Sequence, residues 1–180
     1  CEETCLEAAA NGYLECLKYA RGKGCPWNEQ TCFINAAKNG HLECLKYAHK
    51  NGCPWSKYIC IAAADNGRLE CLKYAHENGC PWDESTCAVA AENAHFECLR
   101  YAHEKGCPWN LVTCWSAAKN GHLECLKYAH ENGCDWTELT CSSAARYGHL
   151  ECLKYAHENG CPGSAIYARK YLDADEDSDS

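Results

Sequence analysis

A segment of 27 residues is repeated six times along this chain, and this period constrains the fold more than any other feature. Three cysteine series mark it, and together they hold 18 of the 19 cysteines. They are Cys16, Cys44, Cys71, Cys98, Cys125 and Cys152; Cys25, Cys53, Cys80, Cys107, Cys134 and Cys161; and Cys5, Cys32, Cys60, Cys87, Cys114 and Cys141. One step is 28 residues, and we place its extra residue between Cys32 and Ala36. Such a period predicts a repeat architecture.

The unit from Asp83 to Trp109 shows how the period becomes structure. Asp83 and Thr86 are N-cap candidates for a short first helix, which ends at a turn at Asn93 and Ala94. A second helix is predicted from about His95 to Glu104, because Gly106 and Pro108 stop it. The turn is Asn-Gly in most units, so Ala94 costs up to about 1 kcal/mol if the turn needs positive φ.

The second helix has one apolar face, formed by residues such as Leu42, Cys44 and Leu45, which a single hairpin cannot bury. Stacking on neighbouring units is therefore required for stability. The sequence predicts an all-α, helical-hairpin repeat solenoid over residues 1–161, with a capping helix and an acidic disordered tail after it. The expected units are about 1–27, 28–55, 56–82, 83–109, 110–136 and 137–161, followed by the capping helix at 162–172 and the tail at 173–180.

Charge and hydropathy exclude several classes of partner. The formal net charge is -8, with 25 acidic residues against 17 basic ones, which disfavours binding to nucleic acid. We find no 18-residue apolar run, so no membrane span is expected. Because the chain lacks an Asn-x-Ser/Thr acceptor, a cytoplasmic location is favoured over a secreted one.

The sequence Ala-Ala-Lys-Asn-Gly-His-Leu-Glu-Cys-Leu-Lys-Tyr-Ala, from Ala36 to Ala48, resembles the helix-turn-helix segment of ankyrin repeats. The match recurs in all six units and covers about residues 1–161. Two features depart from the family. The period is 27 rather than 33 residues, which removes the β-hairpin finger. The Pro and the His of the family's Thr-Pro-Leu-His tetrapeptide are also absent from these repeats. The resemblance implies an ankyrin-like scaffold that binds a protein partner and has no catalytic activity or cofactor.

A histidine and two cysteines recur in four units with a spacing that would suit a metal. A histidine near the end of each second helix precedes a cysteine by four residues, and another cysteine opens the next helix, so the three could converge on zinc. The trios are His49, Cys53 and Cys60; His76, Cys80 and Cys87; His103, Cys107 and Cys114; and His130, Cys134 and Cys141. The remaining cysteine of a unit, such as Cys44, lies about 140° round the helix from the histidine and is poorly placed as a fourth ligand, so we do not assign a metal site.

Buried free thiols are the favoured interpretation of the cysteines, since free cysteine packs as a small hydrophobe. Disulfides are the other alternative, with Cys53 and Cys60 bridging across the loop as one example. A Cys-His dyad could be drawn in many units, but a signature repeated along a rod favours maintenance of the fold over catalysis. An enzyme is therefore not expected.

Aromatic and histidine residues recur with the same period. Trp27, Trp55, Trp82, Trp109 and Trp136 are expected to wedge between repeats, with the indole N–H bonded to a backbone carbonyl. The tyrosines at Tyr19, Tyr47, Tyr74, Tyr101, Tyr128 and Tyr155 are expected to be half-buried. The histidines after the turns, at His41, His95, His122 and His149, are interpreted as surface or capping groups.

Comparison among the repeats gives the best indication of function. Invariant positions maintain the stack, whereas variation concentrates around the Thr-Cys position, on the first helix and its approach. We predict a partner-binding patch at Tyr58, Leu111, Val112 and Trp115, the apolar residues outside the repeat consensus. The alternative function is a structural rod stabilised by zinc or disulfides, and near-identical units would also allow end-to-end self-association.

Overall fold

The computed structural model describes residues 2–25 and 29–171, except the side chains of Glu2 and of residues 29–32. Within these ranges there are thirteen helices and no strand, so the all-α prediction is confirmed. Trp27 and the predicted tail at 173–180 lie outside the described residues. The helices are α1 (Glu2–Ala10), α2 (Leu14–Gly22), α3 (Glu29–Asn39), α4 (Leu42–Lys50), α5 (Lys57–Asp65), α6 (Leu69–Glu77), α7 (Glu84–Glu92), α8 (Phe96–Glu104), α9 (Leu111–Lys119), α10 (Leu123–Glu131), α11 (Glu138–Arg146), α12 (Leu150–Glu158) and α13 (Ser164–Tyr171).

The described residues form two compact units with bounds Cys1–Thr86 and Cys87–Ser180. Inside the first unit, α1 packs on α3 and α3 on α5, while α2 packs on α4 and α4 on α6. The second unit repeats this arrangement, with α9 on α11, α8 on α10 and α10 on α12. Each unit therefore stacks first helices on first helices and second helices on second helices, as expected for a helical-hairpin repeat.

The repeated residues form the core. A leucine of each second helix, such as Leu45 or Leu126, is fully buried, and the alanine three residues later is buried beside it. The Ala-Ala pair of each first helix, such as Ala63 and Ala64, is also buried. Because these side chains are small, two helices can approach closely, and the apolar face of each hairpin is covered by its neighbours.

Local capping sets the helix boundaries. The predicted second helix of the Asp83 unit is α8, which begins at Phe96 and ends at Glu104, so the prediction was right to within one residue. Asp83 Oδ1 accepts a hydrogen bond from the backbone N–H of Ser85 at 3.0 Å, which confirms Asp83 as the N-cap. Gly106 after α8 has φ +83°, the left-handed conformation that ends a helix.

The extra residue of the second repeat changes the helical register. α3 is 11 residues long where α5 has 9, so the extra residue is accommodated within the helix. Phe33 stands three residues before Ala36, just as Cys60 stands three residues before Ala63, and Phe33 is fully buried. Phe33 therefore occupies the buried position that Cys60 has in the third repeat, and the side chain of Cys32 lies outside the described residues.

In three repeats the residue after the turn caps the first helix of the preceding repeat. His41 Nε2 donates to the carbonyl of Ala10 at 3.0 Å, and His122 Nε2 donates to the carbonyl of Glu92 at 2.9 Å. Where arginine replaces the histidine, Arg68 Nε donates to the carbonyl of Lys38 at 3.1 Å. The expected capping role is confirmed at these positions, where the side chain satisfies a carbonyl at a helix end.

Ala94 has φ 59°, in the left-handed region where the turns of the other repeats place glycine. We expect Ala94→Gly to raise the free energy of unfolding by about 1 kcal/mol, because only the side chain opposes this conformation. Urea denaturation of the two proteins measures the difference. Ala62→Gly, in the interior of α5, is the control and should destabilise by about 1 kcal/mol. A loss of stability in Ala94→Gly would contradict the assigned strain.

Candidate functional site

Exposed apolar side chains lie on the first turns of α9 and α11 in the second unit. Leu111 is 40% exposed and Val112 is 37% exposed. Leu139, which occupies in α11 the position of Val112 in α9, is 60% exposed. The N-caps Asn110 and Thr137 accept hydrogen bonds from the backbone N–H of Val112 and of Leu139. These caps fix where each helix begins, so its first two residues face solvent and its next two, such as Thr113 and Cys114, face the core.

We call Leu111, Val112 and Leu139 the first-turn patch. Leu139 was absent from the predicted site, although its difference from Ser85 of the fourth repeat could have revealed it. α9 and α11 pack against each other, which brings the two first turns to the same side of the second unit. Scattered apolar residues on a surface need no explanation, but apolar residues at matching positions of adjacent repeats can form one contact surface.

Trp115 has a different environment from the first-turn patch. Its indole Nε1 donates to Ser143 Oγ of α11 at 3.0 Å, and the Lys119 ammonium lies 4.8 Å from its ring centroid. The side chain is half-buried between α9 and α11. Trp115 therefore joins two repeats, and only part of its surface is open to a partner.

Tyr58 lies on the first turn of α5, in the first unit, and its side chain is 55% exposed. Ser56 Oγ caps this helix by accepting from the backbone N–H of Tyr58 at 3.3 Å. The neighbouring Lys57 forms an ion pair with Asp83 at 2.6 Å, which lowers the pKa of the Asp83 carboxyl through the hydrogen bond from the ammonium. Tyr58 is thus presented from its helix in the same way as Val112 and Leu139.

The histidines of the predicted zinc trios have aromatic partners. His103 stacks on Trp109 with ring centroids 3.8 Å apart, and its Nδ1 lies 3.0 Å from the hydroxyl of Tyr128 in the next repeat. The same stacking joins His76 to Trp82 and His130 to Trp136, and the same hydrogen bond joins His49 to Tyr74 and His130 to Tyr155. In the described part of the chain, no three His, Cys, Asp or Glu side chains are grouped closely enough to hold a metal ion. The structure therefore does not bring the proposed trios together.

The tryptophans connect repeats, as the period predicts. Trp55 Nε1 donates to the carbonyl of Asn78 at 2.9 Å, which confirms the expected backbone hydrogen bond for this residue. The tyrosines are less uniform than expected, since Tyr19 is 70% exposed and Tyr101 is buried. In the His-Trp-Tyr contact between repeats, the aromatic rings pack against one another while their polar atoms make hydrogen bonds.

Apart from Cys16, the second-helix cysteines are buried thiols in the described structure. Burial raises the pKa of Cys71 to about 11, of Cys125 to about 12 and of Cys152 to about 11. These groups are therefore protonated at neutral pH and pack as small apolar residues. Cys16, which begins the series, is exposed.

The first-helix cysteine of a repeat meets the cysteine that follows its second helix. The Cys60 thiol donates to Cys80, and the Cys114 thiol donates to Cys134, which lowers the pKa of each acceptor. Cys141 and Cys161 are joined by a disulfide bond. Cys60 thus contacts Cys80, the cysteine 20 residues after it, and the bridge suggested between Cys53 and Cys60 stays a prediction.

The repeat geometry agrees with two matches to known families. The family described as Ankyrin repeats (3 copies) matches residues 5–80, and the family described as Ankyrin repeats (many copies) matches residues 114–157, together about two thirds of the chain. This chain belongs to the ankyrin-repeat family. Ankyrin repeats are generally protein–protein interaction modules, so this ankyrin-repeat chain has the architecture of such a module.

Solved structures agree with the fold of this ankyrin-repeat protein. The crystal structure of the human ASB11 ankyrin repeat domain matches with a TM-score of 0.75 and 21% sequence identity, covering 87% of this chain and 83% of that chain. At this identity the match supports the fold and not a shared partner. No curated protein matches the chain. Among the described residues no helix combines the length and the apolar character that a membrane crossing requires.

Proposed function

We propose that this ankyrin-repeat chain is a non-catalytic scaffold that binds a protein partner through the first-turn patch. The observation that carries the proposal is the exposure of Leu111, Val112 and Leu139 at positions where the fourth repeat has the polar residues Glu84 and Ser85. The same stack is therefore built with a polar first turn in one repeat and an apolar first turn in two others. Stability of the repeat does not account for this difference.

The chemistry of the patch favours a protein partner. Leucine and valine side chains offer no hydrogen bonds, so their contribution to binding would come from removing apolar surface from water. Half-buried Trp115 borders the same helix and could add an aromatic contact at the edge. Tyr58 extends the proposal to the first unit, where it is exposed from the equivalent turn of α5.

The test replaces the patch with the chain's own polar sequence. Leu111→Glu, Val112→Ser and Leu139→Ser together give both repeats the sequence Glu-Ser-Thr-Cys, which begins α7 in the fourth repeat. The immobilised variant and the unchanged chain are used to capture proteins from a lysate of the source cells. We expect the unchanged chain to retain a protein that the variant loses, while circular dichroism and the thermal melting temperature stay the same.

The control variant is Tyr147→Asn, which removes another exposed apolar residue and restores the asparagine found at the equivalent turn position Asn120. Tyr147 is 52% exposed, and it follows the last residue of α11, at the opposite end of that helix from Leu139. The control should retain the same protein as the unchanged chain. Equal retention by all three proteins would overturn the assignment of the first-turn patch.

A further inference from the structure

Three of the described repeats contain a pair of buried thiols in one hairpin. The first member lies in the first helix and the second follows the glycine that ends the second helix, 20 residues later in sequence. The pairs are Cys60 with Cys80, Cys87 with Cys107, and Cys114 with Cys134. The sixth repeat has the equivalent residues Cys141 and Cys161, which are disulfide-bonded. The same two positions therefore exist as dithiols and as a disulfide within one chain.

The backbone holds the second cysteine of the pair in the same place in different repeats. Cys80 Sγ donates to the carbonyl of Ser56 at 3.3 Å, and Cys134 Sγ donates to the carbonyl of Asn110 at 3.1 Å. In the bonded pair, Cys161 Sγ lies 3.4 Å from the carbonyl of Thr137. Ser56, Asn110 and Thr137 are the N-caps of the first helices of their own repeats. The closing turn of each of these hairpins is thus fixed against the start of its first helix.

The positions of the first cysteines are equally regular. Cys60, Cys87, Cys114 and Cys141 are all fully buried, and each lies three residues before the Ala-Ala pair of its repeat. In the bonded pair the two Cα atoms are 6.8 Å apart, a separation that a disulfide can span. Since the repeats share sequence and helix length, we infer the same separation for the other three pairs.

We propose that Cys60–Cys80, Cys87–Cys107 and Cys114–Cys134 are dithiol–disulfide sites that form the same bridge as Cys141–Cys161 by exchange with a low-molecular-weight disulfide. One cysteine thiolate attacks a sulfur of the small disulfide, which forms a mixed disulfide and releases one small thiol. The second cysteine then displaces the other small thiol. Two protein thiols and one small disulfide thus give one protein disulfide and two small thiols.

The environment of the pairs favours this reaction over reaction of the second-helix thiols. Hydrogen bonds from the Cys60 and Cys114 side chains lower the pKa of the Cys80 and Cys134 thiols, so these two thiols reach the reactive thiolate more readily. Cys71 and Cys125 are instead held as thiols by burial, which raises the pKa of both. All these sulfurs are buried, so exchange requires local opening of the hairpin and will be slow.

The second repeat is an internal exception. Phe33 occupies the buried position that Cys60 has in the third repeat. Because phenylalanine has no thiol, the proposed bridge cannot form at that position of the second repeat. Each proposed bridge would join the first helix of a hairpin to the end of its second helix. The oxidised chain is therefore expected to resist denaturant more than the reduced chain, because each bridge restricts the unfolded state.

The experiment maps disulfides in the full chain. The reduced, folded protein is incubated with oxidised glutathione, quenched in acid, denatured and labelled with N-ethylmaleimide, and its peptides are identified by mass spectrometry. We expect the bridges 60–80, 87–107, 114–134 and 141–161, with Cys71 and Cys125 carrying the label. Label on both members of the three proposed pairs, or bridges from these six cysteines to any other cysteine, would overturn the proposal.

Two variants make the pairing specific. Cys107→Ala should leave Cys87 labelled and the other three bridges intact, whereas the matched Cys98→Ala, in the second helix of the same repeat, should leave all four bridges. If Cys107→Ala also abolishes bridges in other repeats, the hairpins are not independent sites and the proposal fails. The unchanged chain decides the pairing by itself should either variant not fold.

Discussion

Replacement of Leu126 by alanine is expected to lower the free energy of unfolding by about 2–5 kcal/mol. The Leu126 side chain is fully buried in α10, where the helix packs on α8, α9 and α12. Removal of the Cγ methine and the two methyl groups loses their burial and leaves a cavity that the stacked neighbours cannot fill without moving. Equilibrium denaturation in urea, followed by circular dichroism, measures the change.

The matched control for this prediction is Leu139→Ala in α11, because Leu139 is 60% exposed. Its loss should change the free energy of unfolding by no more than about 0.5 kcal/mol. Similar losses from both variants would show that position in the repeat does not determine the contribution of a leucine. That result would contradict the distinction between leucines that stabilise the stack and leucines that only face solvent.

Gly121→Ala is the second substitution with a large expected effect. Gly121 lies at the turn between α9 and α10 with φ +77°, and a Cβ there would come within 2.5 Å of Nδ1 of His149 in the next repeat. The left-handed backbone alone costs about 1–2 kcal/mol for alanine, and displacement of the histidine adds to it, so we expect a total loss of about 2–3 kcal/mol. Urea denaturation again provides the measurement.

Gly133→Ala separates the cost of the left-handed backbone from the cost of displacing the histidine. Gly133 has φ +84°, but no neighbouring atom lies within 4 Å of the position that a Cβ would take. Gly133→Ala should therefore cost only the backbone part, about 1–2 kcal/mol. His149→Ala in the Gly121→Ala background should recover part of the larger loss. Equal costs for the two glycines would contradict the close contact between the turn and the next repeat.

Much of the fold could be predicted because its determinants are local and repeated. The start of α7 follows from its N-cap Asp83, and the end of α8 follows from Gly106, whose φ is positive. The need for stacking follows from the apolar face of each second helix, which one hairpin cannot cover. The ankyrin resemblance, confirmed by the family matches, rests on the same repeated residues.

The pairings between side chains could not be predicted from spacing along the chain. The zinc hypothesis placed His103 with Cys107 and Cys114, but the imidazole stacks on Trp109 and contacts Tyr128. The bridge drawn between Cys53 and Cys60 used the shortest loop, whereas Cys60 contacts Cys80 at the far end of its own hairpin. Both differences arise because residues close in sequence at a helix end can point into different repeats.

The register of the second repeat was also hidden in the sequence. When the repeats are aligned on their cysteines, the extra residue falls after Cys32. When they are aligned on the buried residues of the first helix, Phe33 takes the core position. The partner-binding patch stays a prediction. Of its residues, Tyr58, Leu111 and Val112 are exposed and Trp115 joins two repeats, while the exposed Leu139 was not part of the predicted patch.

Site-specific photocrosslinking tests the central claim most directly, namely that the repeated residues build the stack and that the first-turn patch contacts the partner. Benzoylphenylalanine is placed at Leu139 or, as a control, at Tyr147, and each protein is irradiated with the captured partner. Mass spectrometry then counts covalent adducts. We predict an adduct from position 139 and none from position 147; an adduct from position 147 alone would contradict the account.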